Sequence, residues 1–194
     1  MVGQIGPLVQ VGKKKTALAF HVLGGLAGGA TLGVALGFVG VLLAAALGGS
    51  LDPVFAIGVP LALVYAGLTD LGILRIAYLT RTRQTPGSWP CALGHYPGMF
   101  AWGYDLGLGI TTRMPHQAVL VLPLAAVLTG SLWGAVAVSA AYGAARAVAV
   151  VGAVAGARDG DFPAACDAIQ DRVGALKRFV GAAALGTAAL LLLV

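Results

Sequence analysis

The sequence predicts an all-α, polytopic integral membrane bundle of about five transmembrane helices, and three observations predict it. Of 194 residues, 59% are hydrophobic and only 10% are charged, whereas a soluble domain carries about 25% charged residues to keep its surface hydrated. The mean hydropathy is +0.92, and several apolar stretches exceed the roughly 20 residues that cross about 30 Å of hydrocarbon. The basic residues gather at the ends of those stretches, where they carry topology information.

Glycine is abundant, with 30 residues. In water this would weaken helices. In lipid, small residues let helix backbones approach closely and so replace the hydrophobic effect as the packing device. The bias towards Ala, Gly, Val and Arg suits a GC-rich bacterial genome. A net charge of +5 raises nucleic acid as a partner, but no aromatic-and-basic stripe or recognition motif accompanies it, and nucleic-acid binding is set aside.

Residues 1–12 are broken by Gly and Pro7 and are too short to span. Lys13, Lys14 and Lys15 precede the first span, 16–47. That run is much too long for the apolar core of a cleavable signal peptide, so the first helix is expected to be the targeting signal itself. Gly25, Gly29, Gly33 and Gly37 recur every four residues along it, placing a flat groove on one helix face suited to a close helix contact or to self-association. Gly48, Gly49, Ser50, Asp52 and Pro53 form a turn. The second span, 54–79, is closed by Arg81 and Arg83, and residues 84–97 read as a Pro- and Gly-rich loop with Trp89 and Tyr96 at the interface.

The third span, 100–129, is interrupted near Thr111, Thr112, Arg113, Met114, Pro115 and His116. Pro115 removes a backbone donor and disfavours helix at Met114. Gly130 and Ser131 turn the chain into the fourth span, 132–157. Asp161 as N-cap and Pro163 in the first turn start a surface helix over 162–172, which runs on into the fifth span, 173–194. With five alternating spans, the three basic clusters around Lys13, Arg81 and Lys177 fall on one side. The N-terminus is therefore expected in the cytoplasm of a cell (inner or plasma) membrane protein.

Charges inside spans cost about 2.5–3.5 kcal/mol each on insertion scales, so each needs an account. Asp70 and Arg146 are read as intramembrane charge-pairing groups. Because broken helices at depth are tolerated only where they line a cavity or are covered by protein, the interruption beside Arg113 is read as a polar site. Arg113 supplies charge, Thr111 and Thr112 hydrogen bonds, and Asp105 and His116 flank them. Such a site suits a small polar or anionic solute. His21, read as interfacial, His95 and His116 show no metal-ligand spacing, and no metal or cofactor is expected. Cys91 and Cys166 fall on the expected cytoplasmic side, where thiols stay reduced.

Two segments resemble the transmembrane thiol-oxidoreductase family of cytochrome c biogenesis, the CcdA/DsbD membrane-domain type within the LysE-like transporter superfamily. The run from Lys13 to Gly24 is similar to that family's basic-flanked, Gly-containing helix. The run from Trp102 to Pro115 resembles its Gly-rich approach to a Thr-Pro-Cys helix break, and Ala141 to Arg146 is similar to a following Tyr-Gly-x-Gly helix. The family's reactive intramembrane cysteine pair has no counterpart, since Arg113 or Met114 stands roughly where the second cysteine would be. What the resemblance implies is the fold and the transport role of relatives lacking those cysteines. Three functions follow for test: a small permease or exporter-like transporter, a membrane thiol-disulfide redox protein using Cys91 and Cys166, and a non-catalytic membrane subunit held by a partner or by its own copies.

Overall fold

The computed structural model describes residues 14–74, 89–109, 116–156 and 162–193, and every element among them is helical. In chain order these are α1 (Lys14–Ala46), α2 (Asp52–Asp70), the short α3 (Trp89–Leu93) and α4 (His95–Leu108). A 3-10 turn, Gln117–Leu120, then leads into α5 (Val121–Leu128), followed by α6 (Leu132–Gly156) and α7 (Phe162–Leu193). Among the described residues, four stretches are long and apolar enough to cross a membrane: Lys15–Ala46, Asp52–Asp70, Leu132–Gly152 and Asp171–Leu193. Only 17% to 33% of their most apolar windows is buried within the protein. Leu42, Phe38, Trp133 and Phe179 are all more than half exposed. Water would penalise such a surface and lipid does not.

Between α2 and α6 the expected third span is two pieces. The 14 residues of α4 rise about 21 Å and the 12 of Gln117–Leu128 about 18 Å at 1.5 Å per residue, so neither crosses about 30 Å of hydrocarbon by itself. Two backbone conformations end the helical run. Gly109 turns left-handed at φ 68° after α4, and His116 is extended at φ −122°, ψ 134° before the 3-10 turn.

The contacts divide the chain into two compact units. The first comprises Met1–Leu32, Arg81–Arg113 and Ala140–Arg172. Its core is Ala17, Met99, Trp102 and Leu106, with Leu18, Tyr96 and Val150 against them. Here α1 and α4 meet backbone to backbone. A methyl group on Gly24 or Gly28 would strike the carbonyls of Phe100 or Tyr104, and one on Gly103 or Gly107 those of His21 or Gly25. On an adjoining face, a methyl on Gly25 would lie 2.7 Å from the Gly143 carbonyl of α6, and Gly143 meets the Gly25 carbonyl in return. Gly29 lies under both Gly107 and Gly143. His21, expected at the interface, is instead fully buried and packs its ring 4.9 Å from that of Trp102.

The second unit comprises Gly33–Thr80, Met114–Ser139 and Val173–Val194. Val59 and Ala66 of α2 and Val121 and Leu128 of α5 form its core. Gly33 and Gly37 continue the α1 seam against Val136 and Leu132 of α6, at 2.6 and 2.9 Å from a built methyl to their Cα atoms. The face of α1 bearing Gly25, Gly29, Gly33 and Gly37 is thus filled by the chain's own α6 within each unit. Self-association through it would require α6 to leave. Gly67 of α2 and Gly181 of α7 form another close crossing, each within 3 Å of the other's carbonyl once a methyl is added.

Helix α2 stops at Asp70 rather than running on to residue 79. Gly72 is left-handed at φ 80°, its N–H donates to Thr69, and the N–H of Ile73 donates to Leu68. These two bonds make a Schellman closure, which satisfies carbonyls that the helix end would leave open. Helix α4 starts at His95, earlier than expected. Gly94 turns the chain at φ 86°, and Pro97 falls in the first turn, where a missing N–H costs nothing. The expected surface helix and fifth span are one continuous helix, α7.

Candidate functional site at the ends of the interrupted span

In the second unit the N-terminal end of the Gln117–Leu128 piece is closed by a side chain from another helix. Asp70, 2% exposed, accepts the Gln117 N–H at Oδ1 (3.0 Å) and the Ala118 N–H at Oδ2 (3.1 Å). His116 occupies the N-cap position but makes no side-chain cap bond, and its Nδ1 is sealed from solvent without a partner. The first N–H groups of a helix have no internal acceptor and carry a partial positive charge. A carboxylate clasping two of them is a charge-assisted N-cap supplied in trans. Asp70 is also the last residue of α2, where its charge opposes that helix's own dipole. Its position therefore makes electrostatic sense only through the helix it caps. The hydroxyl of neighbouring Thr69 donates back to the Tyr65 carbonyl (2.8 Å), so Asp70 is the polar group of this helix end directed at the broken span.

In the first unit, the C-terminal end of α4 meets a basic side chain. Arg146 of α6 donates from one Nη to the Leu106 carbonyl (3.0 Å) and to the Tyr142 hydroxyl (3.0 Å), and its guanidinium lies 5.6 Å from the Tyr142 ring centroid. Leu106 is in the last turn of α4, and its carbonyl also takes the Gly109 N–H (3.2 Å). A cation at a helix C-terminus is favourable for the same reason that an anion is at the N-terminus. Asp105 is 5% exposed on the buried side of α4. The residue before it, Tyr104, donates to the Thr31 hydroxyl (3.1 Å), which donates to the Ala27 carbonyl (2.9 Å).

Of the residues expected to bind solute, Thr111, Thr112 and Arg113 lie outside the described residues, while His116 and Asp105 are placed as above. The side chains of Cys91 and Cys166 also lie outside them. Asp70 and Arg146 are engaged by helix-end backbone groups. The amides of Gln117 and Ala118 and the carbonyl of Leu106 were invisible to sequence reading, because backbone partners leave no compositional mark. Tyr142 was within reach of it, since its spacing of four from Arg146 puts both on one face.

An α-helical, multi-pass integral membrane protein is the class that these helices define. Compared with known proteins, the chain matches no family model, no curated protein and no solved structure.

Proposed function

We propose that the protein is a small permease or exporter-like transporter whose polar site is the interruption of the third span, in a cell membrane with the N-terminus cytoplasmic. One observation carries this reading: the two pieces that flank the interruption end on a basic and an acidic side chain from other helices, Arg146 on the Leu106 carbonyl and Asp70 on the Gln117 and Ala118 amides. Broken helices at membrane depth need such partners, and they are the usual place for solute and ion sites in transporters. The resemblance of residues 102–115 to the CcdA/DsbD-type helix break supports the same role, and the lysine and arginine clusters support the orientation. Arg113, by its place in the sequence between the two pieces, selects a small polar or anionic solute.

The test is flux in proteoliposomes, read as current on a supported membrane while a panel of small inorganic and organic anions is applied. Wild type is expected to carry at least one of them, and Arg113→Gln to remain folded yet carry none. Equal flux in the variant removes the site. No flux in wild type, combined with co-purification of a second membrane protein, favours the subunit reading.

A further inference from the structure

The outward face of the first unit carries a groove that transport leaves unused. Leu18, Ala19, Val22 and Leu23 of α1 and Val151 of α6 line it, Lys15 stands at one end, and its volume is about 570 Å³. Among the described lining residues, Lys15 is the one polar side chain. Lys15, Ala19 and Leu23 are exposed, so the groove opens outward rather than into the bundle. From Lys15 to Leu23 the helix rises about 12 Å, close to the roughly 15 Å of hydrocarbon in one leaflet. In the sequence Lys15 follows Lys13 and Lys14, so the positive end is the end at the membrane surface.

An apolar channel about 12 Å long, with a lysine that follows two others in sequence at one end, complements a lipid chain below a negative headgroup. We propose that this groove binds an anionic phospholipid, one acyl chain lying along Leu18, Val22 and Val151 and the phosphate-bearing headgroup at Lys15. A zwitterionic lipid fits the channel equally but brings its own cation to Lys15, so selectivity resides in the headgroup and occupancy in the chain. Each lysine near an anionic surface contributes an attraction worth about fivefold in binding.

The purified full chain in mild detergent, observed by native mass spectrometry, tests this. Phosphatidylglycerol and phosphatidylcholine with identical acyl chains are offered together, with glycerophosphoglycerol as a chainless headgroup. Wild type is expected to retain phosphatidylglycerol at least fivefold over phosphatidylcholine, unaffected by the chainless compound. Lys15→Gln should bring that ratio close to one, and Ala19→Trp, which fills the groove from an exposed position, should lower retention of both lipids. Equal retention of the two lipids by wild type, displacement by the chainless headgroup, or retention unchanged in both variants overturns the proposal. The result is independent of whether any solute is transported.

Discussion

Replacing Asp70 by alanine removes the acceptor for two backbone N–H groups without touching the helix that owns them. Gln117 is 4% exposed, so water does not replace the carboxylate there. A buried donor left unsatisfied costs about 1–3 kcal/mol. Two such donors, at 3.0 and 3.1 Å in the native structure, put the gross loss at about 2–6 kcal/mol. The substitution also removes an anion from the C-terminal end of α2, which returns about 0.3–1 kcal/mol. The net destabilisation is therefore expected at about 1–5 kcal/mol, with Asp70→Asn near half of that, because the amide keeps one acceptor oxygen. Unfolding by graded denaturing detergent in mixed micelles, followed by tryptophan fluorescence, measures the loss. Hydrogen exchange localises it, with faster exchange expected first at 117–120. Wild-type stability and wild-type exchange in Asp70→Ala would refute the trans cap.

The other contacts give smaller or differently placed effects. Gly107→Leu drives a side chain into the Gly25 carbonyl, and overpacking of this kind costs about 1–3 kcal/mol or more. It should lower the melting temperature and broaden the size-exclusion peak, whereas Gly152→Leu, with open space around it, should do neither. Arg146→Gln is expected to lose about 1.5–3 kcal/mol for its charged hydrogen bonds and Tyr142→Phe less. Because the two side chains touch, the double variant should lose less than the sum, by about 1 kcal/mol; strict additivity would contradict the contact. In a background lacking Cys91 and Cys166, Gly49→Cys should react with a membrane-impermeant maleimide only from outside the cell. Lys13→Cys should react only after the membrane is opened, and the reverse pattern would invert the proposed orientation.

The helical class and the interruption of the third span were readable from the sequence because each depends on local chemistry. Apolar length decides crossing, and a proline such as Pro115 disfavours helix at the residue before it. The spacing of Gly25, Gly29, Gly33 and Gly37 was equally visible, but its partner was not. Nothing local distinguishes a groove filled by α6 from one filled by a second molecule. Gly103 and Gly107, also four apart, face the same helix and carry the same signal. The end of α2 was missed where two signals compete. Gly72 announces a stop, yet the apolar residues from Leu71 to Leu79 continue the hydrophobic run, and the Schellman bonds favour the stop. The partners of Asp70 and Arg146 were beyond reach for a different reason. A helix end offers partial charge on backbone atoms that every sequence possesses, so the Gln117 and Ala118 amides and the Leu106 carbonyl leave no mark in side-chain spacing.

Everything rests on lipid being the solvent around α1, α2, α6 and α7, and alkaline carbonate extraction tests that most directly. Membranes from cells expressing the chain are washed at high pH, then with urea, and finally treated with a mild detergent. The chain should stay in the pellet through both washes and dissolve only in detergent. Release by carbonate as a monodisperse, folded species would contradict the account.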